Sequence, residues 1–245
     1  MFVREVVMSV LHNLFLSLTA GTCVMRALLL IIIFGTFVSV GLGQITASGP
    51  DEDDVQYWND IQLTVPLASR VDFVTKQTLR FGQNITKLVE GRISIGAAVK
   101  LTRAITIAPS YTFIKARSAS GRYRIENRLS LAGYYRFPFK KVTLTHKSTY
   151  ERRLRRPRPT WRYKPMLTLE RAIPENIIPR AKLFISDELF YDSALDRFSR
   201  NRFSIGITKT ITKKLALDIY YMRQNDGTTR PGDLNVIGTL WKVKL

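Results

Sequence analysis

Few residues in this chain of 245 are of the types that carry out chemistry. Of its two histidines, only His146 lies outside the apolar amino-terminal region. Ser148 follows two positions later, and a serine hydrogen-bonded to a histidine is a common nucleophile and base in acyl transfer. Both residues lie in a segment that alternates like a strand, where side chains two apart do not bond easily. We therefore expect His146 to be a structural residue rather than a catalytic base.

The sequence gives as little indication of a metal site, or of catalysis by paired carboxylates, as it does of a catalytic histidine. The single cysteine, Cys23, lies in the apolar amino-terminal region, and no set of His and Cys residues has metal-ligand spacing, so we predict no metal and no cofactor. Asp187, Glu188 and Asp192 are close in sequence, as paired catalytic acids can be. Basic residues surround them, however, and we expect ion pairs of a structural kind.

The charge of the chain is its most unusual bulk property. The formal net charge is +19, and residues 1–43 contribute almost none of it, since their only charged residues are Arg4, Glu5 and Arg26. Such a surplus predicts an anionic partner. We expect outer-membrane lipids, with the basic run 152–158 contacting lipopolysaccharide phosphates, and no nucleic acid. The oligomeric state is not predicted.

The elements that must position these residues are hairpins. Similar tight turns, each an apolar residue, two or three small or basic residues and another apolar residue, recur at 67–71, 101–105, 139–142 and 211–215. Apolar and polar residues alternate between the turns, which is strand periodicity. Eleven strands are predicted, at 57–67, 71–84, 91–102, 105–117, 121–137, 141–155, 160–172, 180–193, 201–211, 214–224 and 233–245.

Three features favour a membrane barrel over a soluble sandwich. Aromatic residues, Trp58 among them, lie near strand ends, where an interfacial girdle would place them. One set of connections is short and the other is longer and polar, as expected for periplasmic turns and extracellular loops. The prediction is an all-β, antiparallel, up-and-down transmembrane barrel of 10 to 12 strands at 56–245, integral to the bacterial outer membrane.

Two features of this barrel need explanation. Pro109 and Pro165 lie inside predicted strands, and each should mark a bulge or a missing ladder bond. If the short turns and the C-terminus are periplasmic, an odd number of strands would also mean that the first strand begins at the extracellular side. Either the leader passes through the lumen, or the count is wrong by one.

The two termini carry export and assembly signals. Residues 1–43 are predicted to be a signal peptide region, with a true start at Met25 and cleavage between Gly43 and Gln44, followed by an acidic flexible leader at 44–55. The last strand alternates to the chain end, which is typical of an insertion signal for the barrel assembly machinery. This predicted insertion strand contains Gly238, Trp241, Val243 and Leu245.

The predicted inward face is strongly charged. Its charge network comprises Arg80, Lys100, Arg122, Arg124, Glu126, Arg128, Arg136, Arg162, Lys164, Glu170, Glu188, Arg202 and Asp218. Two interpretations stay open. Neutralised ion pairs would fill the lumen, or a net positive lining would favour anions in a narrow pore.

Short motifs resemble one known family. They are Trp58 in the first strand and the segments 78–81, 150–153 and 186–192, the last of which reads Ser-Asp-Glu-Leu-Phe-Tyr-Asp. Over 55–245 the chain resembles the uncharacterised bacterial outer-membrane family called domain of unknown function 2490. The resemblance implies an outer-membrane barrel and no established activity.

The function predicted from the sequence is a passive channel that favours anions, or a structural membrane component, with a basic lumen. The protein is predicted not to be an enzyme. The alternative is an outer-membrane barrel enzyme, a lipid or peptide hydrolase that uses His146.

Overall fold

Eleven β-strands close into one barrel in the computed structural model, which describes residues 53–117, 121–229 and 231–245. The strands are β1 Asp53–Ala68, β2 Val71–Gly82, β3 Lys87–Lys100, β4 Ile105–Arg117, β5 Tyr123–Arg136, β6 Thr143–Leu154, β7 Thr160–Ala172, β8 Ala181–Asp192, β9 Arg197–Thr210, β10 Leu215–Asp226 and β11 Asp233–Lys244. The predicted signal region, its cleavage site at Gly43 and Gln44, and the leader up to residue 52 lie outside the described residues.

The barrel closes through a parallel seam. Consecutive strands pair in antiparallel fashion, but β1 pairs with β11 in parallel, with Asp53 opposite Asp233 and Thr64 opposite Lys244. The odd strand count is therefore correct, because an odd number of alternating strands brings two parallel strands together. β1 consequently begins at the end of the barrel that carries the β2–β3 and β10–β11 connections, here called the loop end. The longest connection, 173–180 between β7 and β8, lies at the opposite end, so the predicted division into short turns and longer loops is wrong. The tight turns and Leu245 lie at the opposite, turn end.

The recurrent turn motif has a local cause. In the β3–β4 turn, Thr102 Oγ1 accepts hydrogen bonds from the N–H groups of Ala104 (3.1 Å) and Ile105 (3.0 Å). Thr212 repeats the arrangement before β10, where its Oγ1 accepts the Lys214 N–H at 3.2 Å. A threonine hydroxyl that satisfies backbone donors favours a turn over a continued strand.

The two strand prolines interrupt the sheet as predicted. The β3–β4 register is not continuous at Pro109, and the β7–β8 register is not continuous at Pro165. Proline has no N–H and cannot donate to a ladder. Each proline keeps its pairing on the other side, opposite Leu131 and Ser148 respectively, so the wall stays closed.

The two faces of the wall differ as a membrane barrel requires. Apolar side chains such as Ile93 (57% exposed), Ile125 (59%) and Leu131 (52%) lie on the outer face. The inner face carries most of the charged residues, together with a small apolar cluster of Trp58, Met222, Leu234 and Val236. The predicted all-β transmembrane barrel is thus confirmed. Among the described residues, no helix has the length and apolarity needed to cross a membrane.

The strand bounds differ from the prediction most at three strand starts. β3 and β9 begin four residues earlier than predicted, at Lys87 and Arg197, and so does β1. It begins at Asp53, inside the segment predicted to be a flexible leader, and not at residue 57. The buried Asp54 carboxylate accepts the backbone N–H groups of Gln83 (3.0 Å) and Asn84 (2.8 Å) in the β2–β3 loop. An acidic run that suggests a solvated linker therefore contains a residue that fixes the loop end of β1.

Candidate functional site

Charged side chains from seven strands meet inside the barrel. We call this group the central belt, and its side chains are at most 19% exposed. Its members are Arg80, Glu90, Arg92, Glu126, Arg128, Glu151, Arg153, Arg162, Lys164, Glu188, Asp192 and Arg202. Strand alternation points them to one face, and closure of the wall brings them together.

Arg153 links two carboxylates of the belt. Its Nε donates to Glu126 Oε1 at 2.7 Å, and its Nη1 donates to Asp192 Oδ2 at 3.2 Å. Arg162 Nε donates to the same Asp192 oxygen at 2.7 Å, and Arg128 Nε donates to Glu126 at 2.5 Å. One guanidinium from β6 thereby joins carboxylates of β5 and β8, and each carboxylate holds a second arginine.

A second part of the belt surrounds Glu151. Lys164 Nζ lies 2.6 Å from Glu151 Oε1, and Arg128 Nη1 lies 4.0 Å from Glu151 Oε2. The opposed charges on neighbouring strands neutralise one another across β5, β6 and β7. Burial of charge without such partners would be costly.

Trp58 contacts two arginines in the lumen. The guanidinium of Arg80 is 3.5 Å from the Trp58 ring centroid and that of Arg202 is 5.0 Å away, so both are within the range of a cation–π interaction. Arg80 also pairs with Glu90 at 3.2 Å. Trp58 is only 4% exposed, so its prediction as an interfacial girdle residue is wrong.

The half of the lumen nearer the turns is lined mainly by lysines, with Arg136 at its mouth. Four ion pairs occur there, and their lysine side chains are 35–54% exposed. The pairs are Lys76–Asp60 (3.0 Å), Lys100–Asp72 (2.6 Å), Lys182–Glu170 (3.9 Å) and Lys242–Asp218 (2.6 Å). The interior is therefore tightly packed at its centre and more accessible towards the turns.

Twelve of the thirteen residues of the predicted charge network lie on the inner face, and Arg122 does not. The strand register puts on the inner face Arg80, Lys100, Arg124, Glu126, Arg128, Arg136, Arg162, Lys164, Glu170, Glu188, Arg202 and Asp218. Arg122 precedes β5 and is exposed in the β4–β5 connection, because β5 begins one residue later than its alternation implies. Arg124 and Arg136 are inward but exposed, one at each mouth.

Sequence reasoning missed several members of the belt. Glu90, Arg92, Glu151, Arg153 and Asp192 all carry contacts that the prediction did not include. The period-two alternation of their strands was a signal that could have found them, since they follow the inward phase. The same alternation divides the predicted acidic cluster. Asp187 points outward, whereas Glu188 and Asp192 point inward.

A polar cluster lies on the outer wall. His146 Nε2 is 2.9 Å from Ser148 Oγ, and that hydroxyl is 3.0 Å from the Tyr163 hydroxyl of the next strand. The expectation that residues two apart on this strand would not bond is wrong. The imidazole is long enough to reach along the strand to the serine.

The last strand has the expected alternation. Trp241 and Val243 share the outer face with Ile237, whereas Gly238 is inward and lies under the Tyr220 ring. Leu245 follows β11, and its N–H donates to Thr64 O at 3.1 Å across the seam. Within the described ranges, no group of three or more His, Cys, Asp or Glu side chains is arranged to hold a metal ion.

An apolar outer wall around a charged interior defines the protein as a transmembrane-type β-barrel. The chain belongs to the family described as protein of unknown function DUF2490, which matches residues 55–235. None of the curated proteins matches the chain.

Two porins of known structure are distantly similar. The "KdgM porin" is 11% identical, with 70% of this chain and 90% of that chain covered and a TM-score of 0.42. The "Anion-selective porin from Comamonas acidovorans" is 12% identical, with 72% and 54% covered and a TM-score of 0.36.

Proposed function

We propose that the protein is an integral barrel of the bacterial outer membrane that forms a narrow passage favouring small anions. The observation that carries the proposal is the inner face, which combines a packed belt of ion pairs with exposed cations at both mouths. Arg124 at the loop end and Arg136 at the turn end are exposed, and neither makes an ion pair with another described residue. Fixed positive charge in a confined lumen raises the local concentration of anions.

The central belt sets the width of this passage. Its seven cations face five carboxylates, most of them at short distances, so it contributes bulk and only a small net positive charge. We infer that conductance is small and that the mouth arginines dominate selectivity. The competing function is a closed structural barrel, and the two differ in whether ions pass.

The lipid and protein partners follow from this placement. We propose that the outer wall contacts outer-membrane lipids, that the basic 152–158 segment contacts lipopolysaccharide phosphates, and that the last strand is recognised by the barrel assembly machinery. Arg152 is outward and exposed at the loop end of β6. Burial beside Arg153 lowers the pKa of Arg155 in the following loop.

Planar-bilayer recording tests the proposal. The purified barrel should give small, discrete conductance steps, and under a salt gradient the reversal potential should show anion preference. Arg124→Glu with Arg136→Glu should reduce or reverse this preference. Arg103→Glu with Lys213→Glu makes the same charge change in the exposed β3–β4 and β9–β10 turns outside the lumen, and should have a smaller effect. Absence of conductance from correctly folded protein would support the structural barrel instead.

A further inference from the structure

We propose that Ser148 and His146 form an acyl-transfer site on the outer wall, with Ser148 as the nucleophile and a carboxylic ester of a membrane lipid as the substrate. The inference rests on the proposed membrane location of the barrel, and it adds an activity to the proposed channel.

The first observation is the pair itself. His146 Nε2 lies 2.9 Å from Ser148 Oγ, within the range in which a histidine can remove the proton of a nucleophile. The Tyr163 hydroxyl lies 3.0 Å from the same Oγ, so the serine is held from its own strand and from β7. All three side chains lie on the outer face, where lipid is the neighbouring material.

The second observation is open space beside the serine. Gly133 on β5 is the Cα partner of Ser148, and a Cβ placed on Gly133 would meet no atom within 4 Å. On the other side Ser148 faces Pro165, at the point where the β7–β8 ladder is interrupted. The wall is therefore shallow on one side of the nucleophile, which gives an ester carbonyl room to approach.

The third observation is the depth of the site. His146 pairs with Tyr135, whose ring packs against Phe137 at 4.9 Å, and Phe137 stacks on Phe139 at 6.0 Å. Aromatic residues near strand ends mark the boundary between hydrocarbon and headgroups. His146 is therefore level with the boundary at which the ester groups of lipids lie, and Ser148 lies two residues, about 7 Å along the strand, on the hydrocarbon side of it.

A fourth observation concerns the neighbouring wall. His146 on β6 is the Cα partner of Leu167 on β7, and Leu167 is the Cα partner of Asp187 on β8. The Asp187 side chain also points outward. Asp187 Oδ1 accepts a hydrogen bond from Asn201 Nδ2 at 2.5 Å. Ionisable residues that face lipid are costly, and they commonly have a functional reason. This sector of the wall is thus unusually polar for a surface that only contacts lipid.

The chemical step is ordinary acyl transfer. His146 Nε2 takes the Ser148 proton as Oγ bonds to the ester carbonyl carbon, and the proton then passes to the departing lipid alkoxide, which leaves as an alcohol. Water next attacks the acyl–serine ester and loses its proton to His146. The fatty acid leaves, and the proton returns to Ser148 Oγ. No oxidant, reductant or metal is required.

Labelling with a fluorophosphonate, which reacts with activated serines, tests the proposal in vesicles of phosphatidylethanolamine. The wild type should be labelled and should release fatty acid. Ser148→Ala should abolish both, and His146→Ala should slow both by about a hundredfold or more. Ser130→Ala on the inner face of β5 is the matched control and should change neither.

A second variant tests access rather than chemistry. Gly133→Leu should fill the open space and slow labelling, while the Ser148–His146 contact is unchanged. Wild-type labelling no faster than that of Ser148→Ala, in protein that keeps its folded gel mobility, would overturn the proposal. Conductance of the same vesicles reports on the channel separately, so loss of conductance with labelling intact would count only against the proposed passage.

Discussion

Arg153 shows how a single residue organises the interior. Its guanidinium holds Glu126 on β5 and Asp192 on β8, and its side chain is only 5% exposed. Removal of one partner from such a group leaves an opposite charge buried without compensation, which costs about 3–5 kcal/mol. The belt therefore stabilises the closed wall as long as it is complete.

Two arginines on β5 allow this idea to be tested with one kind of substitution. Arg128→Glu removes a buried cation that pairs with Glu126 and places two carboxylates together, so we expect a destabilisation of about 3–5 kcal/mol. Arg124→Glu, on the same strand and face but exposed, should leave stability unchanged within error. Unfolding in urea, followed by gel mobility without heating, measures both. Equal stability of the two variants would contradict the packed belt.

At the scale of the residue, the sequence predicts whether a side chain points inward better than it predicts which residue that side chain contacts. Alternation places Arg80, Arg128 and Lys164 inward, and the register puts them there. The alternation cannot show that Trp58 contacts two arginines, because one of them, Arg202, comes from a strand distant in sequence. Which cation meets which carboxylate depends on the closure of the wall.

At the scale of the element, two strand glycines have opposite surroundings. A Cβ on Gly238 would collide with the Tyr220 ring, whereas a Cβ on Gly133 would enter open space. We expect Gly238→Val to reduce the folded fraction strongly, because the clash lies on the last strand beside the seam. Gly133→Val should assemble normally. The folded fraction in the outer membrane, measured by gel mobility without heating, distinguishes the two; poor assembly of both variants would show that any β-branched substitution for a strand glycine is harmful.

The last strand gives a second test. Trp241→Asp places a charge on the lipid face near the strand end. The expected cost is below the value of about 2–4 kcal/mol for a basic residue at the bilayer midplane, but the interrupted apolar alternation of the last strand should cause misassembly. The inward Lys242 pairs with Asp218 at 2.6 Å, so Lys242→Asp would bring two carboxylates together and is a poor control. Lys244→Asp, inward and exposed at the strand end, should be tolerated. Similar abundance of the two variants in the membrane would contradict the assignment of faces.

Strand positions were largely predictable, and the exceptions have local causes. β4 and β7 have the predicted bounds, because their alternation is regular. The start of β1 was missed because Asp53 and Asp54 belong to an acidic run typical of linkers. Only the β2–β3 loop, which donates to Asp54, shows that this run is part of the wall.

At the scale of the whole molecule, the parallel seam puts the start of β1 and the end of β11 at opposite mouths. Single cysteines at Asp53 and Asn84 should therefore react from the same side of the membrane, and a cysteine at Leu245 from the other. With Cys23 replaced by serine, a membrane-impermeant maleimide on intact and lysed cells should show this pattern. Labelling of positions 53 and 245 from the same side would contradict the odd strand count.

The seam itself is the most direct test of the account, because both the enclosed belt and the separate outer wall depend on closure between β1 and β11. Asn59 Nδ2 lies 3.0 Å from Thr239 Oγ1 across it. In the Cys23→Ser background, Asn59→Cys with Thr239→Cys should be joined by a short bifunctional thiol reagent in membranes, giving a product of altered gel mobility. The antiparallel pair Asn59→Cys with Leu79→Cys is the positive control. Cross-linking of the control without cross-linking of the seam pair would contradict the closed eleven-stranded barrel.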